Sequence, residues 1–280
     1  MQNSIPQITL NDGLQLPAVG FGTYKLNGSE GVRAMESAVE AGYRLLDSAF
    51  YYENEGAVGE AVRKCAVPRS ELRITSKLPG RRHQYAEALA TVEESLYRAG
   101  LDYYDLYLIH WPNPSKGLYV EAWQALIEAK KRGLIRSIGV CNFLPEHLER
   151  LMKETGVTPS VNQVELHPYF NQREQLAWDR AHGIATESWS PLGRGNHVLS
   201  DQVILKIAAN HHKSPTQVIL RWHVQLGALP IPKAASPLHQ KENIDFFDFT
   251  LSEEEMESIG SLTRPDGRTH GQDPSVYEEF

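Results

Sequence analysis

Four residues that can together deliver a proton to a carbonyl oxygen fall at the ends of short apolar runs. Asp47 closes Tyr43-Arg44-Leu45-Leu46-Asp47, and Tyr52 follows five residues later. Lys77 ends Arg73-Ile74-Thr75-Ser76-Lys77, and His110 ends Leu106-Tyr107-Leu108-Ile109-His110, just before Trp111-Pro112. A free phenol has a pKa of about 10, too high to donate efficiently near pH 7. An ammonium beside it favours the phenolate and makes it a workable acid. Tyr52 is therefore the expected general acid and Lys77 its charged neighbour. Asp47 would hold Lys77 charged and aimed, and His110 would donate a hydrogen bond to the carbonyl. That is the set a carbonyl reductase needs. Taken singly, a tyrosine after a strand is usually packing and a lysine at a strand end is usually solvated. The four together, at successive strand ends, point to one site.

The elements that must position them alternate along the chain. Apolar strand candidates end at Gly22, Asp47, Lys77, His110, Cys141, Val164 and Trp189, with an eighth at Leu229-Pro230-Ile231. Between them, helical stretches such as Gly31–Ala41, Ala86–Ala99, Val120–Lys131, Glu146–Thr155 and Arg173–His182 carry apolar residues at spacings of three and four. This pattern predicts a closed parallel (β/α)8 barrel, the TIM barrel. Right-handed crossovers then place every strand C-terminus, and with it the four residues, at one mouth.

A hairpin is expected ahead of the barrel, where Ile8-Thr9-Leu10 and Leu14-Gln15-Leu16 flank the turn residues Asn11-Asp12-Gly13. Extra helices are expected near the C-terminus. Two lie around Val203–Asn210 and Pro215–Gln225, the second with Ser214 as N-cap and Pro215 at its first position. A last one starts at the capping box Ser252-Glu253-Glu254-Glu255. Thr263 to Phe280 reads as a loop. With no linker, and no repeat longer than the βα unit, residues 1–280 read as a single domain.

The 280 residues suit one barrel of about 250. A formal net charge of −7 argues against a nucleic-acid binder. The two cysteines, Cys65 and Cys141, provide no disulfide framework and suit a reducing cytosol. Met1-Gln2-Asn3-Ser4-Ile5-Pro6 shows no secretory signal, and no apolar run approaches the roughly 20 residues of a membrane span. A cytoplasmic location with no membrane partner is expected. The 11 histidines include no His-Glu-x-x-His and the cysteines no Cys-x-x-Cys, so no functional metal is expected.

Gly42-Tyr43-Arg44-Leu45-Leu46-Asp47-Ser48-Ala49, Tyr52-Glu53-Asn54-Glu55, Ile74-Thr75-Ser76-Lys77-Leu78, Leu106 to Pro112, Asn162-Gln163-Val164-Glu165-Leu166-His167-Pro168 and Ile231-Pro232-Lys233 resemble the signature segments of the aldo-keto reductases. The likeness covers essentially the whole chain. With Trp189-Ser190-Pro191-Leu192-Gly193 and the compact length, it is most similar to the microbial branch that includes 2,5-diketo-D-gluconate reductases. The resemblance implies the same roles for Asp47, Tyr52, Lys77 and His110 as the residues themselves suggest. Gly20-Phe21-Gly22 and Gly193-Arg194-Gly195 both lack the third glycine of a Rossmann turn. Any dinucleotide must therefore lie across the barrel mouth, as the resemblance also implies.

By that resemblance Asn142 and Gln163 would bond the nicotinamide carboxamide, and Trp189 would stack on the ring. Ser190 to Arg194, with Leu192 and Gly193, would follow the pyrophosphate, and Glu242 and Asn243 would reach the adenine. Without it, Asn142 reads as a turn residue and Trp189 as a core aromatic. Tyr24, Phe50 and Trp111 are expected to shape the substrate pocket. Three positions depart from the family pattern. Cys141 stands where serine is usual before Asn142. Ala234 stands where serine usually follows Lys233. His239 stands where an arginine is common four residues before Asn243. Serine, lysine and arginine there would hold the 2′-phosphate of NADPH, so the implied cofactor is NADPH with NADH unusually well accepted. The expected partner is a small-molecule carbonyl substrate, and the family likeness favours a monomer. A cofactor-binding regulatory or accessory subunit on the same scaffold is the alternative.

Overall fold

In the computed structural model, which describes residues 5–280, the chain opens on an antiparallel hairpin. Its strands β1 (Gln7–Thr9) and β2 (Gln15–Pro17) set Ile8 opposite Leu16. The absence of a leader was read partly on residues 1–4, which lie outside the described residues. Leu10 and Leu16 are buried among Leu45, Leu106, Leu108, Val161 and Leu229. Asn11 Nδ2 donates to Pro159 O, and Arg73 Nε donates to Gln15 O. The hairpin thus lies across the strand N-termini, opposite the mouth.

Eight parallel strands follow: β3 (Phe21–Gly22), β4 (Leu45–Asp47), β5 (Arg73–Leu78), β6 (Tyr104–Ile109), β7 (Ile135–Cys141), β8 (Val161–Glu165), β9 (Ala185–Trp189) and β10 (Ala228–Pro230). They pair in chain order from β3 to β10. The ring closes where Gly20 N donates to Pro230 O and Gly22 N to Pro232 O, each at 3.0 Å. Strand packing is tight enough at Gly139 that a Cβ would sit 2.6 Å from Val161 O and 2.7 Å from Leu108 Cδ2. Only glycine fits there.

Among the described residues ten helices surround the ring: α1 (Gly28–Ala41), α2 (Glu55–Lys64), α3 (Tyr85–Ala99), α4 (Tyr119–Lys131), α5 (Pro145–Thr155), α6 (Arg173–Ala181), α7 (Gln202–His211), α8 (Pro215–Gln225), α9 (Pro237–Glu242) and α10 (Glu253–Gly260). Each long helix buries one apolar stripe. In α3 the stripe is Ala88, Val92, Leu96 and Ala99, at the spacing of a helix face against a sheet. Ser252 forms the expected capping box of α10, and Ser214, expected as the N-cap of α8, forms a capping box with Gln217. Among the described residues no helix is long and apolar enough to cross a membrane.

The sequence pattern and the fold differ in small ways. β5 runs one residue past Lys77, β8 runs one past Val164, and His110 sits just beyond β6. The sequence pattern does not mark α2 and α9. Two glycines interrupt α2, and α9 has only six residues, too short for a periodic signal. The segment after Thr263 is irregular apart from a 3-10 turn at Thr269–Gly271.

Candidate active site

Asp47 ends β4 and Lys77 is the penultimate residue of β5, one strand over. Both side chains are buried, and Lys77 Nζ lies 2.5 Å from Asp47 Oδ1 and 2.7 Å from Ser48 O. Burial opposes the ammonium charge, but the Asp47 carboxylate and the Tyr52 hydroxyl outweigh it and hold Lys77 above its ordinary range.

Tyr52 closes a 3-10 turn, Phe50–Tyr52, between β4 and α2. Asn54 anchors that turn from below. Its Nδ2 donates to Thr23 O at 2.7 Å and Leu26 O at 3.1 Å, and its Oδ1 accepts from Ser48 Oγ at 2.8 Å. The Tyr52 ring stands edge-on to Tyr24, with centroids 5.0 Å apart, and to His110 at 5.8 Å. Burial pushes the Tyr52 phenol up to about 12, against the pull of Lys77, and the charges of Asp47, Cys141 and Glu279 add to the rise. Lys77 pulls the phenol's pKa down, in the expected direction, but burial outweighs that pull. Desolvation is the largest influence, and the Asp47 charge adds to the rise.

A cavity of about 470 Å³ opens at the strand C-termini, with Tyr52 and His110 in its wall. Tyr24, Asp47, Trp111, Asn142, Gln163, Trp189, Ser190, Leu192, Arg194 and Lys233 line it as well. Lys77 lies behind Asp47, outside the lining. Asn142 and Ser190 leave β7 and β9 with φ of 61° and 49°, a conformation that side chains other than glycine adopt only at some strain. Trp189 Nε1 donates to Asn142 Oδ1 at 2.7 Å, and Asn142 Nδ2 donates to His110 O at 3.1 Å. One amide thereby ties three strand ends together. Gly193 is buried at φ 69°, and a Cβ there would fall 2.1 Å from Asn196 Oδ1. Arg194 reaches over the Tyr24 ring, 5.1 Å from its centroid.

A scan of family models finds the aldo/keto reductase family over residues 18–264. Over 277 residues the chain is 52% identical to 2,5-diketo-D-gluconic acid reductase B of Corynebacterium sp. (strain SHS752001), covering 99% of each protein. It is 45% identical to methylglyoxal reductase DkgA of Escherichia coli (strain K12), over 96% of this chain and 97% of that one. A solved structure of a Gox0644 mutant in complex with NADPH superposes with a TM-score of 0.94 at 43% identity, covering 99% of this chain and 100% of that one. The chain belongs to the aldo/keto reductase family.

In this aldo/keto reductase several expected site residues sit apart from the cavity. Phe50 does not line it. Its ring packs under the Arg98 guanidinium at 3.8 Å, and the neighbouring Tyr51 lines the cavity instead. A tight turn points adjacent side chains in different directions, so Phe50 is corrected to a packing residue. His239, Glu242 and Asn243 belong to α9 and its C-cap, also outside the lining. His239 is exposed, while Asn243 is buried.

Two carboxylates of the reductase were not expected. Glu187 in β9 is 1% exposed and accepts from Gln163 Nε2 at 2.8 Å. Burial, then the charge of Asp47, pushes its pKa up to about 8. A charged residue within the strand candidate ending at Trp189 is the only sign of it in the sequence. Glu279 is buried and places Oε1 2.7 Å from His110 Nδ1, close but without the alignment of a hydrogen bond. Its Oε2 accepts from Gly80 N at 2.7 Å, and its backbone N and O pair with the Asn113 amide at 3.0 and 2.9 Å. Burial opposes the Glu279 charge, but His110 and Gly80 hold its pKa below the ordinary value. Tyr277 packs on Trp111 with centroids 4.4 Å apart, so the last residues of the sequence strap the mouth. Nothing in a loop-like tail signals that strap.

Proposed function

We propose that this aldo/keto reductase reduces small aldehydes or ketones to alcohols with NADPH, with Tyr52 as proton donor. The cavity residues suit the cofactor. Gln163 offers an amide oxygen, Trp189 a flat indole, and Arg194 and Lys233 offer positive charge for phosphates. NADPH, when bound, supplies the hydride. Tyr52 then hands its phenolic proton to the carbonyl oxygen as negative charge develops there. Lys77 stabilises the phenolate left behind, Asp47 keeps Lys77 charged, and His110 orients the carbonyl. The observation that carries this reading is the buried Asp47–Lys77 pair directly behind Tyr52, at 2.5 Å. In water such a pair would be unremarkable. Out of water it is a fixed field aimed at one phenol.

Relatives named as reductases of 2,5-diketogluconic acid and methylglyoxal favour small, oxygen-rich carbonyl substrates. Asn142, Ser190, Leu192, Gly193, His239, Glu242 and Asn243 are proposed to contact the cofactor, and Tyr24 and Trp111 the substrate. We further propose that residues 1–280 act as one domain, as a cytoplasmic monomer. The deciding experiment monitors NADPH and NADH oxidation side by side with aldehydes, diketones and keto sugars. Tight NADPH binding without turnover of any carbonyl would favour the accessory-subunit reading. Gel filtration reads the monomer directly.

A further inference from the structure

Glu187 lies cross-strand from Gln163, in register between β9 and β8. Gln163 Nε2 donates to Glu187 Oε2 at 2.8 Å and to Asp47 Oδ2 at 2.9 Å. A primary amide nitrogen carries two hydrogens. Both are therefore engaged by carboxyl groups on opposite sides. The amide oxygen of Gln163 takes no hydrogen bond among the described residues. It is not sealed from solvent, and Gln163 lines the cavity. If the amide turned over, its oxygen would face the Asp47 carboxylate and its nitrogen would lose both of these acceptors. With Asp47 as the sole acceptor, one N–H would be free to swing toward the cavity.

We propose that Glu187 is a positioning residue that locks the Gln163 amide with its oxygen facing the cavity, as an acceptor for the carboxamide NH2 of the nicotinamide. This rests on the carboxamide-binding role proposed above for Gln163. The groups facing Glu187 are Asp47, Lys77, Gln163 and Cys141. Because Asp47 already pairs with Lys77, a second bare carboxylate would compete for that ammonium. Burial keeps Glu187 protonated near neutrality, so it accepts from Gln163 without disturbing the pair.

The test compares three ligands: NADPH, its 3-acetylpyridine analogue, and adenosine 2′,5′-bisphosphate. The analogue lacks the carboxamide NH2, and the bisphosphate lacks the nicotinamide altogether. One neutral hydrogen bond corresponds to about three- to tenfold in affinity. Glu187→Leu should weaken NADPH by that factor and leave the other two ligands within about twofold. Glu187→Gln keeps an acceptor oxygen and should restore NADPH binding. Unchanged NADPH affinity in Glu187→Leu, or an equal loss for all three ligands, would overturn the proposal. If the leucine variant does not fold, Glu187→Thr, too short to reach Gln163, repeats the comparison. Gln163→Leu separates the two layers. If it loses no NADPH affinity, the carboxamide role of Gln163 fails. If it loses affinity for NADPH alone while Glu187→Leu does not, only the role of Glu187 fails.

Discussion

The Lys77 ammonium lies 5.2 Å from the centre of the Tyr52 ring and 2.5 Å from Asp47 Oδ1. At that distance Lys77 stabilises a phenolate once one forms, yet burial holds the resting phenol protonated up to about 12. At rest the phenol therefore carries its proton through the neutral range, and Lys77 lowers the cost of releasing it. Reduction should be insensitive to Tyr52 ionisation from about pH 6 to 9, because the donor stays protonated throughout. Alcohol oxidation needs the phenolate and should climb with pH across the same range. Tyr52→Phe should lower kcat by about 10² to 10⁴-fold, the usual worth of general acid catalysis. Turnover within a few-fold of wild type would remove Tyr52 from the role.

Lys77→Met should reduce activity and stability together. It leaves Asp47 buried without its ammonium, and breaking one side of a buried pair typically costs about 3–5 kcal/mol. Replacing Asp47 as well, in Lys77→Met/Asp47→Asn, should recover much of the stability and none of the activity. Denaturant melts and aldehyde turnover on the same samples read both effects. Full activity in the single variant would reject the assignment.

Trp189 offers an optical reading. NADPH binding should quench tryptophan fluorescence, and Trp189→Ala should remove much of that quench. The variant also deprives Asn142 of its Nε1–H partner, so NADPH affinity should fall with it. A quench that survives intact moves the stacking role to another tryptophan.

Cofactor choice turns on the region after Lys233. Ala234 has no side-chain donor, and His239 lacks the two-pronged fork of an arginine. A charge-assisted hydrogen bond is worth about 1.5–3 kcal/mol, so His239→Arg should tighten NADPH about tenfold or more. NADH, without the 2′-phosphate, should be little affected. KM for both cofactors, in wild type and variant, checks this. Equal gains for both would show that His239 does not face the phosphate.

Glu187 makes a stability prediction with a definite sign. Its folded-state pKa, about 8, stands above the ordinary value of 4.5. The folded chain therefore holds a proton that the unfolded chain has released. That contribution is fully present below about pH 4.5 and is lost as pH rises through about 8. Glu187→Gln cannot ionise. Its stability relative to wild type should rise steadily between about pH 5 and 8 and then level off. Urea midpoints across that range measure the slope, and a pH-independent difference would mean that Glu187 is ionised in the fold.

The sequence by itself determined the strand–helix alternation, the hairpin, the capped helices and the positions of Asp47, Lys77 and His110 at or beside strand ends, while Tyr52 falls in the 3-10 turn after β4. These are local properties, written in apolar spacing and in turn and cap residues a few positions apart. Tertiary structure alone decided that Phe50 packs under Arg98 while Tyr51 lines the cavity, because a turn can present either neighbour inward. It also decided the proton on Tyr52, since burial and the Lys77 charge are the largest influences on that pKa and neither is local. Glu187 meets Asp47 through Gln163, 116 residues away from Asp47 in sequence. Glu279 meets Gly80 across 199 residues. In such contacts the chain's closure brings together groups whose charges, donors and acceptors acquire meaning only once water has been removed from between them.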